Sequence, residues 1–369
     1  MSHPKPLFVP ARTLVDWADP ARQSAFQHWL APLVQEYRLN PESLRPASAD
    51  ASFRRYLRLD TQDGHSLIVM DAPPDKENNA SYVHVQALMT EAGLAVPGIL
   101  NWDQANGFLL LSDLGDKTVI QALDASRPQD AEAWYRSALE VLLDWQTASR
   151  PGVLPAYDQA LLQRELQLFP DWYIARHRQA RLDDTQQATL TKAFEQIVAH
   201  NLAAPSVFVH RDFMMRNLMQ PLAPGAPLGV LDFQDAVYGP VTYDIACLLR
   251  DAFISWEEDF VIDITVRYWE KARKSGLLGA RSQSGWGEDF GEFYRGVEWM
   301  GLQRHLKVAG IFARITLRDG KPKYLADAPR FIHYIRSTCS RYRELQPLLR
   351  LIDQIEQIQP EFGYAYGRV

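Results

Sequence analysis

The chain has 369 residues, 39 basic against 45 acidic, and a formal net charge of −6. That length gives one large or two medium domains with a sizeable core, and 47% hydrophobic with 23% charged residues excludes a disordered chain. The mildly acidic balance gives no general pull toward nucleic acid or anionic membranes. Cys247 and Cys339 are the two cysteines, and neither lies in a CxxC or Cys/His cluster, which argues against a zinc site or a disulfide framework. The longest uncharged stretch, Asn217 to Leu231, is broken by Pro221, Pro224 and Pro227 and cannot be a membrane span. With no apolar signal core at the start, a cytoplasmic enzyme or binding protein is expected, monomeric, with no nucleic-acid or membrane partner.

Residues 24–37 read as an opening helix, since Phe26, Trp29, Leu30, Leu33 and Tyr37 share one face. Residues 53–60 and 65–72, separated by TQDG, predict two antiparallel strands. A helix follows from Ser81 to Glu91, closed by Gly93, and two further strands flank the Asn106-Gly107 turn. From about residue 114 the texture turns helical, with 3.6-residue periodicity over 129–148, 158–178 and 183–200. A β-rich interruption at 206–235 precedes a helical remainder. The outline is an α+β chain. Residues 1–113 form a small sheet-containing lobe with an N-terminal helix, joined through a strand-like hinge near 108–113 to a larger helical lobe over 114–369.

The stretch from His210 to Asn217, HRDFMMRN, has the form H-x-D-x-x-x-x-N, and fifteen residues later comes Leu231-Asp232-Phe233. Phosphoryl transfer needs a carboxylate to orient or deprotonate the attacking hydroxyl and oxygen ligands to hold Mg²⁺ on the nucleotide phosphates. Asp212 suits the first role, and Asn217 and Asp232 the second, because hard oxygen donors match Mg²⁺. By accident the eight-residue pattern should arise only about 0.01 times in such a chain.

These residues resemble the aminoglycoside phosphotransferase family, which shares the bilobal protein-kinase-like fold. The resemblance runs from about Asp50 to the C-terminal helices. Gly239 to Ala246, GPVTYDIA, is similar to the family's segment after the metal-binding aspartate. It implies that Asp244 braces the catalytic loop from the start of a helix, as a structural support alongside His210 rather than a catalyst. Within the family, DASFRRY, IVMDAPPDKEN, LDFQDAVYGPVTYDIACLLRDAF and QRHLKVAGIFARI look like the bacterial kinases that act on N-acetylmuramate and N-acetylglucosamine in cell-wall recycling. That branch uses ATP with Mg²⁺ to phosphorylate the sugar's anomeric C1 hydroxyl, supplying UDP-sugar synthesis.

The nucleotide lobe departs from the common pattern. Met70 stands on the second strand where a lysine is expected, and the following helix offers Val83 and His84 near the expected glutamate. The loop before the strands has no glycine, but Ser52 and the Ser52-Phe53 backbone can approach phosphate. Arg54 and Arg55 are placed to substitute for the lysine, and Ser112 and Asp113 in the hinge to meet adenine.

The late segment 303–323 carries Arg304, Lys307, Arg314, Arg318, Lys321 and Lys323 against Asp319 alone, a charge that argues against a polycationic acceptor. Gln303, Lys307 and Arg314 recur at helical spacing and could pair the lactyl carboxylate of N-acetylmuramate. Glu165 and Trp172 form a second candidate sugar wall, and Asp235 follows the metal aspartate closely enough to approach the acceptor. Two alternatives stay open at this point: a kinase of another small molecule, such as an aminoglycoside or choline, and a nucleotide-binding pseudokinase.

Overall fold

The computed structural model describes residues 15–49, 53–279 and 285–359. The chain divides into two compact units, one built from residues 1–118 and 218–235, the other from 119–217 and 236–369.

The first unit opens with α1 (Pro20–Glu36). Asp19 caps it by accepting the Ala21 N–H, and Pro20 pre-sets the first turn. Strands β1 (Leu39–Ala49), β2 (Arg55–Thr61) and β3 (Ser66–Asp71) precede α2 (Asn79–Glu91), and β4 (Ile99–Asp103) and β5 (Phe108–Ser112) follow it. The five strands form one antiparallel sheet in the order β1-β2-β3-β5-β4. Strand alternation sends Leu57, Leu59, Val69, Phe108 and Leu110 to one face, where Phe26, Trp29, Leu30 and Leu33 of α1 bury them. By the same period, Arg54, Tyr56, Arg58, Met70 and Leu109 belong to the opposite face. The β4–β5 turn needs Gly107. Its φ is +73°, and a Cβ there would sit 2.1 Å from the Ala72 carbonyl oxygen.

Residues 218–235 join this unit through backbone pairing. Strands β7 (Leu218–Met219) and β8 (Gly229–Val230) pair with each other. The Gln220 N–H donates to the Lys117 carbonyl at 2.9 Å and the Val230 N–H to Ala95 at 2.8 Å. The sequence places this segment with the helical lobe; its hydrogen bonds run to Ala95 and Lys117 of the first unit.

In the second unit, α3 (Pro128–Thr147), α4 (Gln159–Leu166), α5 (Asp184–Leu202) and α6 (Thr242–Leu249) are joined by α7 (Glu258–Lys274), α8 (Phe290–Asp319), α9 (Ala328–Arg341) and α10 (Gln346–Glu356). A π-type helical turn, Phe169–His177, follows α4 where the periodicity predicts one continuous helix. Helix α8 is the core element, buried from Phe293 to Ala313 with few breaks. It approaches the chain so closely at Gly310 that a Cβ would lie 2.4 Å from the Leu168 carbonyl. Strands β6 (Ser206–Val209) and β9 (Val237–Pro240) pair antiparallel, with Val209, which emits His210, opposite Val237 and Pro240, which leads into α6, opposite Ser206.

Candidate active site

Residues 210–217 leave β6 as a tight loop. The His210 and Arg211 N–H groups donate to the two carboxylate oxygens of Asp244, at 2.7 and 3.0 Å. Asp244 lies in the first turn of α6 and is fully buried. Burial pushes its carboxyl up to about 7, against the lowering effect of those two backbone donors. This is the contact a bracing carboxylate makes. Arg211 sits at φ +77°, a conformation that L residues with a Cβ adopt at a cost. The Asp212 N–H donates to His210 Nδ1 at 3.2 Å, and the Asn217 amide NH₂ donates to the Asp212 carbonyl at 2.8 Å. Asp212 and Asn217 thus share one internally bonded loop. In the first unit Asp232 also has a positive φ, +64°. Its side chain is exposed and accepts from Gln234 Nε2 at 2.9 Å.

Asn217 in the second unit and Asp232 in the first each carry the donor type that a magnesium ion takes. Both offer hard oxygens, and Asn217 spends its NH₂ on a carbonyl, which orients the amide oxygen as its ligating end. Among the described residues no cluster of three or more His, Cys, Asp or Glu could hold a metal.

The expected nucleotide residues separate by face. Arg54 is buried and pairs with Glu77 at 2.8 Å, and the other Glu77 oxygen accepts the Phe53 N–H at 3.0 Å. Phe53 itself is exposed, with the Lys76 ammonium 5.0 Å from its ring. Arg55 points the other way, to the helix-covered face. There its guanidinium makes two bonds to buried Asp71, whose second oxygen takes two from Arg22 of α1. Trp17 stacks on it at 4.3 Å. Asp113 receives Arg58, Ser66 and the Gly115 N–H, and Ser112 Oγ accepts from Gly98. Ser52 lies outside the described residues. Glu77 escaped sequence reasoning because that looked inside the following helix. The carboxylate stands one residue before the Asn78 cap, and the KENN stretch is the signal that could have placed it.

Helix α2 also carries the Asp232 loop. Ser81 Oγ donates to the Gln234 carbonyl at 2.6 Å, and Tyr82 packs on Phe233 with ring centroids 4.8 Å apart.

The acceptor candidates Glu165, Gln303 and Lys307 converge in the second unit. Glu165 is buried on α4. One oxygen takes Arg211 at 2.5 Å and Lys307 at 2.9 Å; the other takes Gln303 at 3.0 Å and the Tyr157 hydroxyl. Lys307 also donates to the Tyr243 hydroxyl at 3.1 Å. Burial pushes the Glu165 carboxyl up, but Lys307, Arg211 and the hydrogen bonds outweigh it and hold the group down at about 2. Arg211 and Tyr157 were not legible as partners of Glu165, since sequence spacing carries no sign of such a contact. Buried Arg304 was also missed as a site neighbour. It donates to Met214 Sδ at 3.1 Å within the catalytic loop. Trp172 lies half-buried under Arg176, 4.0 Å from its ring, Arg314 is half-buried two turns beyond Lys307, and Asp235 is exposed in the first unit. None of these three is a hydrogen-bonded member of the Glu165 cluster among the described residues.

These features define a phosphotransferase of kinase-like fold. The phosphotransferase enzyme family model matches residues 43–281, and the chain belongs to that family. A relative in Neisseria meningitidis serogroup B, named N-acetylmuramate/N-acetylglucosamine kinase, is 46% identical over 347 residues, 94% of this chain and 99% of its own length. A Pseudomonas aeruginosa protein of the same name is 47% identical, covering 92% and 98%. Among solved structures, the ADP-bound aminoglycoside phosphotransferase APH(2'')-Ib superposes with a TM-score of 0.54 at 13% identity, covering 88% of this chain and 98% of that one. The fold is therefore the protein-kinase-like one, with an antiparallel sheet in its first part and a mainly helical remainder. No helix among the described residues is long and apolar enough to cross a membrane.

Proposed function

We propose that the protein transfers the γ-phosphoryl group of ATP to the anomeric C1 hydroxyl of N-acetylmuramate or N-acetylglucosamine, giving the sugar 1-phosphate for peptidoglycan recycling and UDP-sugar supply. The observation that carries this reading is identity near one half to kinases of that name over almost the whole chain, together with a catalytic loop in which Asp212 and Asn217 are held from both ends.

Asp212 orients the C1 hydroxyl and takes its proton. The hydroxyl oxygen bonds the γ-phosphorus as the bond to the β–γ bridging oxygen breaks, and ADP leaves. Asn217 and Asp232 are the residues that would hold Mg²⁺. When bound, the ion neutralises charge on the β- and γ-phosphate oxygens. Arg54, oriented by Glu77 on the sheet face opposite α1, is the cation offered to the phosphates. Buried Lys307 and Arg304 and half-buried Arg211, near the 210–217 loop, disfavour a polycationic acceptor.

The test is product identity. With ATP, magnesium and either sugar, phosphorus NMR should show coupling to the anomeric proton, and a 1-deoxy analogue should bind without reacting. The product should also be acid-labile, because the ring oxygen can expel phosphate through an oxocarbenium-like state. Coupling to the C6 protons, or transfer to the 1-deoxy sugar, would remove the anomeric assignment and leave the kinase intact.

A further inference from the structure

The Glu165 cluster does more than line a pocket. Its carboxylate is saturated by four donors and 5% exposed, so a sugar hydroxyl would have to displace one of them to reach it. Its bond to Arg211 bears on the residue directly before Asp212.

Contacts on both its backbone and its side chain hold Arg211. Its N–H donates to Asp244 at 3.0 Å, the Cys247 thiol reaches its carbonyl at 3.8 Å, and its guanidinium is fixed to Glu165 at 2.5 Å. These three contacts hold a non-glycine residue at φ +77°. A side chain with a Cβ returns to ordinary backbone geometry when released, and that rotation would swing the Asp212 carboxylate off its line. Of these contacts, the bond to Glu165 acts through the side chain, beside the Tyr157 ring 5.9 Å from the guanidinium.

We infer that Glu165 is a positioning residue, which locks Arg211 in the left-handed conformation and so aims Asp212 at the acceptor, rather than a group that binds the sugar. The inference rests on the reading of Asp212 as the acceptor base. It identifies a link from α4 to the catalytic loop that acts on turnover and leaves the nucleotide residues of the first unit untouched.

Glycine adopts φ +77° without an anchor, and this gives a test that a merely structural role would not pass. Wild type, Glu165→Gln, Arg211→Gly and the double variant are compared in kcat, in KM for ATP and for the sugar, and in Tm, well below the lowest Tm. Glu165→Gln alone should lower kcat by about 30-fold or more with KM for ATP within about threefold. In the Arg211→Gly background the same substitution should cost less than about threefold, because the anchor is no longer needed. An equal cost in both backgrounds overturns the inference, as does a Glu165→Gln enzyme within about twofold of wild type. Should Glu165→Gln alone not fold, Arg211→Gly against the double variant decides by itself. A double variant that fails to fold also overturns the inference, since Glu165 then holds more than Arg211. Wild-type ADP release is the control: if sugars give none and another acceptor does, the sugar reading falls and the cycle is run with that acceptor.

Discussion

Asp212 and Arg54 carry separate halves of the proposed reaction, and single substitutions should separate them. Replacing Asp212 by Asn keeps shape and the loop's backbone bonds but removes the proton acceptor. Nucleotide affinity should stay within about twofold while kcat falls by about 100-fold or more, read by calorimetry with ADP and by coupled ADP release. The two neighbouring arginines should differ in kind. Arg54→Ala removes the cation paired with half-buried Glu77 and leaves that carboxylate with the Phe53 N–H, so KM for ATP should rise about tenfold or more with KM for sugar little changed. Arg55→Ala leaves Asp71 with Arg22 as its remaining bidentate partner and should lower Tm while leaving KM for ATP within about twofold. A rise in KM for ATP on Arg55→Ala with no change in Tm would reverse this division. The sequence offers both arginines equally; only strand register separates them, because adjacent residues on a strand face opposite ways.

Local patterns made most elements legible and long-range ones did not. The helix periodicities at 129–148 and 183–200 anticipate α3 and α5 within a residue or two, because each buries one stripe against the core. Strand β1 gave no alternation, being an edge strand with Pro41, Pro46 and two register breaks. The 210–217 loop, the candidate catalytic one, could be singled out because its residues lie within eight positions of one another. The Glu165 cluster was not, since Arg211, Gln303 and Lys307 reach Glu165 across 46 to 142 residues, and Lys307 read as part of a basic helix face although it is buried. Helix α8 offers a test at this scale. Gly310 contacts the Leu168 backbone, which cannot give as a flexible side chain would. Gly310→Ala, normally stabilising in a helix, should instead cost about 1–3 kcal/mol and lower Tm by several degrees in calorimetry. An unchanged or higher Tm would mean that α8 can shift away from Leu168.

Across the whole molecule, the strongly shifted histidines and carboxylates lie in the helical unit and pull against each other with pH. Burial, assisted by nearby arginines, holds His200 down at about 4 and His305 at about 3, from 6.5. Between those limits the unfolded chain binds the protons, so both stabilise the fold above pH 6.5 and lose that contribution as pH falls. Burial pushes Asp244 up to about 7 and Asp251 to about 6, from 3.8. Here the folded chain binds the protons, so these two favour folding increasingly as pH falls from about 7 to 4. The two pairs oppose over the same window, and stability should change little from pH 7 to about 4.5. Below that the balance ends. Burial raises the Glu165 and Glu258 carboxyls, but their cationic and hydrogen-bonding partners outweigh it and hold both at about 2, from 4.5. Their contribution is present above 4.5 and is lost as pH drops toward 2, while His305 continues to cost. Calorimetry from pH 7 to 3 should therefore show a plateau in Tm followed by a steep fall below pH 4.5. Asp251→Asn keeps the site neutral at every pH and removes one opposing titration, so it should tilt the plateau into a decline that begins near pH 6. A wild-type Tm that already falls steadily from pH 6.5 would show that the buried aspartates do not take up protons in the folded protein.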